Sequence, residues 1–282
     1  MKNSNQNVKK FSFTAAIVKN SSPYNQLHSH PGEVEIQYVF SGEGIYMINN
    51  KLYPVREGTL LLINKHEYHR ISGVNKKKPL FKACIVFSTE IFTAYGELKQ
   101  FVVKTLAECR KKKIHLLQFE KNEAVETGMI VKGLQKDAAE KNSSWKESVV
   151  LEMGKLCVLI QKNLARPQEA PKQIKNAIIQ GCLDYIDKNI ASDLSLKNLS
   201  TVTGLATNYL SAKFSVTAGI SIKDYIIEKR ISEAKKKLEL NPEVKIIEIA
   251  FEAGFKDLSN FNHTFKKLTG YTPSDYRRIS LK

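Results

Sequence analysis

The sequence predicts an α+β chain: an N-terminal β-barrel with helices behind it, then an all-α C-terminal part. Three observations carry this. Short apolar runs with Gly, Pro and Asn punctuation fill residues 11–88, helical periodicity takes over from about residue 90, and the last ~110 residues contain one pattern written twice.

The runs VEIQYVF, GIYMIN, KLYPV, GTLLLI and FKACIVF are strand-length and rich in β-branched and aromatic residues. Ser41-Gly42-Glu43-Gly44 and Asn49-Asn50-Lys51 between them have hairpin composition. Several short strands at this spacing predict a barrel or sandwich. Over 90–164 the pattern turns helical. Trp145, Val149, Met153, Leu156, Ile160 and Leu164 form one apolar stripe, with Ser143 or Ser144 placed to cap it. Core packing and a homodimer interface both fit that stripe. Residues 165–173, with two prolines, are expected to be a linker. The expected division is therefore 1–164 for sensing and dimerisation (barrel about 11–88, helices about 90–164), the linker, and 174–282.

A chain of 282 residues, 42% hydrophobic, can bury two cores. The formal net charge of +16 favours a polyanionic partner. Its distribution is uneven, a balance of +11 over residues 1–166 against +5 from residue 167 onward. Local placement of charge must then matter more in the C-terminal part than the total. Cys84, Cys109, Cys157 and Cys182 are too scattered for a CxxC or zinc pattern and suit a reducing compartment. No run approaches the ~20 apolar residues of a membrane span, and the N-terminus lacks an apolar signal core, so a cytoplasmic protein without membrane association is expected.

The repeat is the informative feature. Leu199, Gly204 and Leu205 recur 50 residues later as Ile249, Gly254 and Phe255. Leu210, Phe214, Gly219 and Tyr225 recur 51 residues later as Phe261, Phe265, Gly270 and Tyr276. One residue has therefore been inserted near Lys256-Asp257. Each copy reads as a helix-turn-helix: a short helix (196–203; 245–253), a glycine for the tight turn, an apolar plug, a cap (Thr207 or Asn208; Asp257 or Ser259) and a second helix. That second helix buries one stripe and leaves a polar face able to enter a major groove. Ile222 to about Leu240 predicts a helix between the copies with Tyr225, Ile226, Ile231, Ala234 and Leu238 inward. At ~1.5 Å per residue it spans roughly 28 Å, comparable with the ~34 Å between successive major grooves on one face of DNA.

The run IIEIAFEAGFKDLSNFNHTFKKLTGYTPSDYRR (246–278) resembles the signature of the AraC/XylS family of transcription regulators, and LSLKNLSTVTGLATNYLSAKF resembles that family's first helix-turn-helix. The resemblance implies binding of double-stranded DNA at two successive major grooves, control of initiation with RNA polymerase as partner, and no enzymatic activity. It also marks departures: His263 and Ala212 stand where the family often has Arg, and Ser215 and Val216 where lysines are common. Arg pairs bidentately with guanine and neither Ala nor neutral His does, so unit one is expected to contribute position more than sequence reading. The base-contact candidates are Asn208 and Ser211 in unit one and Ser259, Asn260, Asn262 and His263 in unit two, with Lys266 and Lys267 placed for phosphates.

In the N-terminal part, His28-Ser-His30-Pro-Gly-Glu-Val-Glu35 with Gly42 beyond it resembles the first cupin motif. Gly58-TLLLI-Asn64-Lys-His66-Glu-Tyr-His69 resembles the second, with Asn64 and His66 where proline and glycine are usual. The barrel is accordingly expected to be cupin-like. By that resemblance His28, His30, Glu35 and His69 correspond to the positions that hold a divalent metal in metal-binding cupins. Imidazoles plus a carboxylate suit Zn, Fe, Mn, Ni or Cu. His28 and His30, at i and i+2 on an expected strand, would both point inward, and His66 is expected in the turn. With no metal, the barrel mouth is the expected effector site, Glu35 and Gln37 joining the histidines to bind hydroxyls of a small molecule such as a sugar derivative. Alternatives are an effector-free or metal-responsive regulator, or a metal-dependent cupin enzyme.

Overall fold

The computed structural model describes residues 11–22, 27–30, 32–166 and 177–280; most of the expected linker lies outside them. Among the described residues, eight antiparallel strands form two sheets. β1 (Phe13–Asn20), β7 (Leu80–Phe87), β2 (Val34–Ser41), β5 (Thr59–Ile63) and β8 (Leu116–Gln118) pair in that order, and β4 (Lys51–Arg56), β3 (Glu43–Ile48) and β6 (His69–Val74) make the second sheet. Gly42 and Asn49 take positive φ (97° and 54°) in the expected hairpin turns.

β2 is buried on both faces, which is why it reads as a continuous apolar run. Its outer face (Ile36, Tyr38) packs under α1 (Gly96–Lys111), α2 (Lys121–Glu140) and α3 (Trp145–Leu164). Between the sheets, Val39, Tyr46, Ile48, Tyr53, Val55, Leu61, Ile63, Ile71 and Leu80 form one buried cluster. The stretch expected to be helical from residue 90 is interrupted by β8, which pairs Thr59 with Gln118 and Leu61 with Leu116 along the edge of the five-stranded sheet. Three residues are too few to display a period of two, and edge pairing rather than propensity makes them a strand.

The α3 stripe is core. Val149, Met153, Leu156 and Ile160 are fully buried among the chain's own side chains, so they are not available to a partner. Ser144 occupies the α3 cap position but its side chain makes no capping hydrogen bond.

The C-terminal helices are α4 (Ala177–Lys188), α5 (Leu196–Thr203), α6 (Thr207–Ala218), α7 (Ile222–Leu240), α8 (Ile246–Glu252), α9 (Leu258–Thr269) and α10 (Pro273–Ser280). Gly204 and Gly254 hold φ of 69° and 93° at the two tight turns, a conformation that costs other residues a Cβ clash. α6 begins three residues after its glycine and α9 four residues after, which locates the insertion in the second turn. The expected caps Thr207 and Asn208 lie inside α6, whose N-cap is Ala206 without a side-chain bond. In the second unit Asp257 does cap, accepting from the Asn260 N–H at 2.7 Å.

One apolar cluster spans both parts of the chain. Leu27, Met47, Leu52 and Tyr68 from the barrel pack with Ile179, Leu183, Leu199, Leu210, Phe214, Tyr225 and others from α4–α7. The second unit has its own core around Ile249, Phe255, Phe261 and Phe265.

Candidate functional site

Two sites emerge. The first is the pair of helices α6 and α9. Leu210 and Phe214, and likewise Phe261 and Phe265, are fully buried, which turns the opposite faces outward. Asn208 is exposed and Ser211 half-buried; Ser259, Asn260, Asn262, His263, Lys266 and Lys267 are all exposed. Exposed polar side chains on a helix anchored by two buried apolar side chains form a surface able to meet base edges and phosphates. Asn260 also accepts a bond from Thr264 Oγ1 at 3.2 Å. Ser211, Asn260 and Thr264 border a cleft of about 720 Å³ between the two units.

The second site lies at the polar end of the barrel. His28, His30, Glu35 and His69 each place a ligand-type atom so that all four lie within 4.8 Å of one another. His28 and His30 do not sit on a regular strand as expected. The segment instead crosses β6 through a single bridge, His28 N–H to His69 O at 3.2 Å and His69 N–H to His28 O at 2.9 Å, while His66 N–H donates to His30 O at 2.9 Å. Backbone pairing across the barrel end, not strand alternation, brings the imidazoles together. His66 takes φ of 63° in the turn, the left-handed conformation of the glycine it replaces in the cupin-like motif, and points away towards Glu239.

Glu35 is buried and lies 3.0 Å from His30 Nε2 and 2.7 Å from His69 Nε2, both through Oε2. Burial pushes its carboxyl up, but the bonds and charges of His30 and His69 outweigh it and hold Glu35 well below the ordinary carboxylate range. The Nδ1 of His69 faces the Glu67 carbonyl at 3.2 Å, so a neutral ring that donates there would turn its Nε2 lone pair to the cluster. Two lone-pair atoms crowding one point, each oriented by a neighbour, is the arrangement of ligands around a cation. A tetrahedral zinc-type ion separates its ligand atoms by roughly 3.3 Å, so the set, now spread over up to 4.8 Å, would close by about 1.5 Å at its widest while the 2.7 Å Glu35–His69 pair opens.

Sequence reasoning missed the supports of this site. Gln37 is buried and donates to Glu35 Oε1 at 2.6 Å, and its own oxygen accepts from Tyr46 Oη and from Lys82 Nζ (2.7 Å). Lys82, 4% exposed, also reaches Cys84 Sγ at 2.8 Å. Tyr46, Lys82 and Cys84 sit on strands whose alternation was visible, but a lysine inside an apolar run reads as an outward residue until its partners are known. The same contacts bear on the effector role expected of Glu35 and Gln37. Their polar atoms are held by each other and by His30, Tyr46 and Lys82, so a hydroxylated ligand would have to displace those bonds.

Residues 16–108 match a family model for an AraC-like ligand binding domain, and residues 199–279 match one for a helix-turn-helix domain. The chain belongs to the AraC family of transcriptional regulators. It is an AraC-type DNA-binding regulator with an N-terminal ligand-binding domain. Among curated proteins, the uncharacterised HTH-type transcriptional regulator YfiF of Bacillus subtilis is 25% identical over 262 residues, 91% of this chain and 80% of its own. The HTH-type transcriptional activator RhaR of Salmonella dublin is 22% identical over 267 residues, 94% of this chain and 92% of its own. Among solved structures, ToxT from Vibrio cholerae O395 aligns over 97% of this AraC-type chain and 99% of its own at 16% identity, with a TM-score of 0.38. No helix among the described residues is long and apolar enough to cross a membrane.

Proposed function

We propose that this AraC-type regulator controls transcription initiation from sites with two major-groove elements about one helical turn apart, and that its barrel senses a divalent transition-metal ion. α6 supplies Asn208 and Ser211 to the first element, and α9 supplies Ser259, Asn260, Asn262 and His263 to the second. Lys266 and Lys267 neutralise phosphates. The metal is held by His28, His30, Glu35 and His69, and the observation that carries this is the convergence of their ligand-type atoms within 4.8 Å of one another. A sugar-like effector is the weaker reading, because the bonds it would use on Glu35 and Gln37 are already made. Regulation rather than catalysis is proposed, in the cytoplasm and with RNA polymerase as partner. Two copies would pair through the outer face of α2 and α3, where Val125, Met129, Leu151 and Val158 stay exposed.

Two measurements test the proposal. In vitro selection from random duplex DNA should enrich a site with two spaced elements, and a single unspaced element would count against tandem reading. Zinc(II) titration of the metal-free chain should give one equivalent bound per chain in wild type, with binding lost in His69→Ala. Equal binding by both would remove the metal site.

A further inference from the structure

The two reading helices present opposite chemistry on equivalent faces. In α6 the residues turned away from Leu210 and Phe214 include Tyr209, Ala212 and Val216. At i, i+3 and i+7 they fall within about 60° of one another around the helix. All three are exposed, Tyr209 at 55% and Val216 at 81%, the highest value for a large apolar side chain among the described residues. The second copy has Asn260, His263 and Lys267 at the same three places, 51 residues on, all exposed and all polar. Both copies therefore keep the inward stripe, while the outward stripe is apolar in one and polar in the other.

An isolated apolar side chain on a surface needs no explanation, but a continuous strip gains free energy from being covered. Its position says by what. α6 follows the left-handed turn at Gly204 and matches α9 residue for residue from Leu210 to Gly219, so its outward face is the one that a helix-turn-helix lays in a major groove. Hydrogen bonding is not the only way to read a base there. The C5-methyl of thymine is the one apolar group on a major-groove edge, and alanine is among the side chains that meet it directly. A guanine, adenine or cytosine edge against the same strip would give up water from its polar atoms and receive no bond in return.

The flanks of the strip suit the same partner. Asn208 and Lys213 are exposed on either side of it, a polar group for a neighbouring base edge and a cation for the backbone. At the place of Val216, Lys267 of unit two is long enough to stretch towards a phosphate. Valine ends at its two methyl groups and meets only what the helix surface itself touches.

We propose that the first reading helix recognises thymine by its methyl group, Tyr209, Ala212 and Val216 packing against the C5-methyls of its element. This specificity rests on the two-element DNA reading above and adds to it: unit one then selects sequence in its own right, through apolar contact instead of hydrogen bonds. Its element is thymine-bearing, and loss of the methyl alone weakens binding.

The full-length chain tests this with the duplex recovered by in vitro selection, deoxyuridine replacing thymidine in one element at a time at fixed salt. The exchange removes the methyl and leaves every hydrogen-bonding atom of the base edge in place. Wild type should lose about fourfold in affinity for each methyl it covers. In the Ala212→Ser/Val216→Ser double variant the loss in one element should fall below about twofold, and His263→Ala should retain that loss in full. Both substituted positions are exposed, so the core of unit one is untouched. Should the double variant bind no duplex, Ala212→Ser alone carries the comparison, with a loss at least about twofold smaller than that of wild type.

Equal affinity of wild type for the thymidine and deoxyuridine duplexes overturns the proposal and leaves the two-element reading standing. A loss that the double variant shares in full overturns it too, as does a selected site in which one element carries no thymine and the other is indifferent to Ala212→Ser/Val216→Ser. If selection enriches no site at all, the two-element reading falls and thymine recognition falls with it.

Discussion

The backbone N–H of Leu27 donates to the Glu228 carboxylate at 2.8 Å across 201 residues of sequence. Glu228 is 9% exposed, with the Arg70 guanidinium 3.7 Å away and Asp224 adding repulsion. Burial pushes the Glu228 carboxyl up to about 7, against the pull of the Leu27 N–H and Arg70. The folded state therefore binds a proton that the unfolded state releases near the ordinary value of 4.5. This contribution to stability is fully present below pH 4.5 and is lost as pH rises through 7.

Glu228→Gln keeps an acceptor for Leu27 and cannot ionise. The melting temperature of wild type relative to Glu228→Gln should fall between pH 5 and 8, by the equivalent of no more than about 3 kcal/mol. A difference independent of pH would show that Glu228 titrates normally.

Metal binding should stabilise the chain by mass action. Zinc at 100 times its dissociation constant adds about 2.7 kcal/mol, read as a rise in the thermal midpoint that a chelator reverses. His69→Ala should show no rise. A rise of equal size in that variant would place the ion elsewhere.

His263 and Lys267 should separate by the kind of loss they cause. His263→Ala should relax base preference in one element only, by about 0.5–1.5 kcal/mol, the worth of a single hydrogen bond. Lys267→Ala should weaken all duplexes alike and lower the slope of log affinity against log salt by about 1. Identical effects from the two variants would mean that His263 reads no base.

Phe261 is fully buried between Phe255 and Phe265, ring centroids 5.2 and 5.5 Å away. Truncation to Ala should cost about 3–5 kcal/mol, measured by denaturant unfolding. The loss should fall on the second unit, where hydrogen exchange would speed up in α8 and α9 ahead of α1–α3.

Much of this was legible because it is local and periodic. α7 runs from Ile222 to Leu240 as its inward residues predicted, and Gly204 and Gly254 sit at positive φ as the repeat required. The convergence of His28, His30, Glu35 and His69 followed from motif resemblance, although the strand expected to carry the first two is a single bridge. What stayed hidden depends on distant partners. β8 is a strand only because β5 offers it an edge, and Ala206 caps α6 where a hydroxyl was expected. Arg70, Lys82 and Glu228 look like ordinary surface charges, and nothing near them in sequence reveals that each is buried against residues 45 to 201 positions away.

The extra residue in the second turn sets a rule for building hybrids of this protein. Leu210 and Phe261 are each the fourth residue of their helices, and Gly219 and Gly270 each follow the twelfth, so the two reading helices match when counted from their own first residues. Counted from the turn glycines they are out of step by one, a rotation of roughly 100° on a helix of 3.6 residues per turn. A graft of α9 onto unit one aligned on Gly204 would expose Phe261 and Phe265 and bury the intended reading face. A graft aligned on Thr207 would keep the inward and outward faces where unit one needs them.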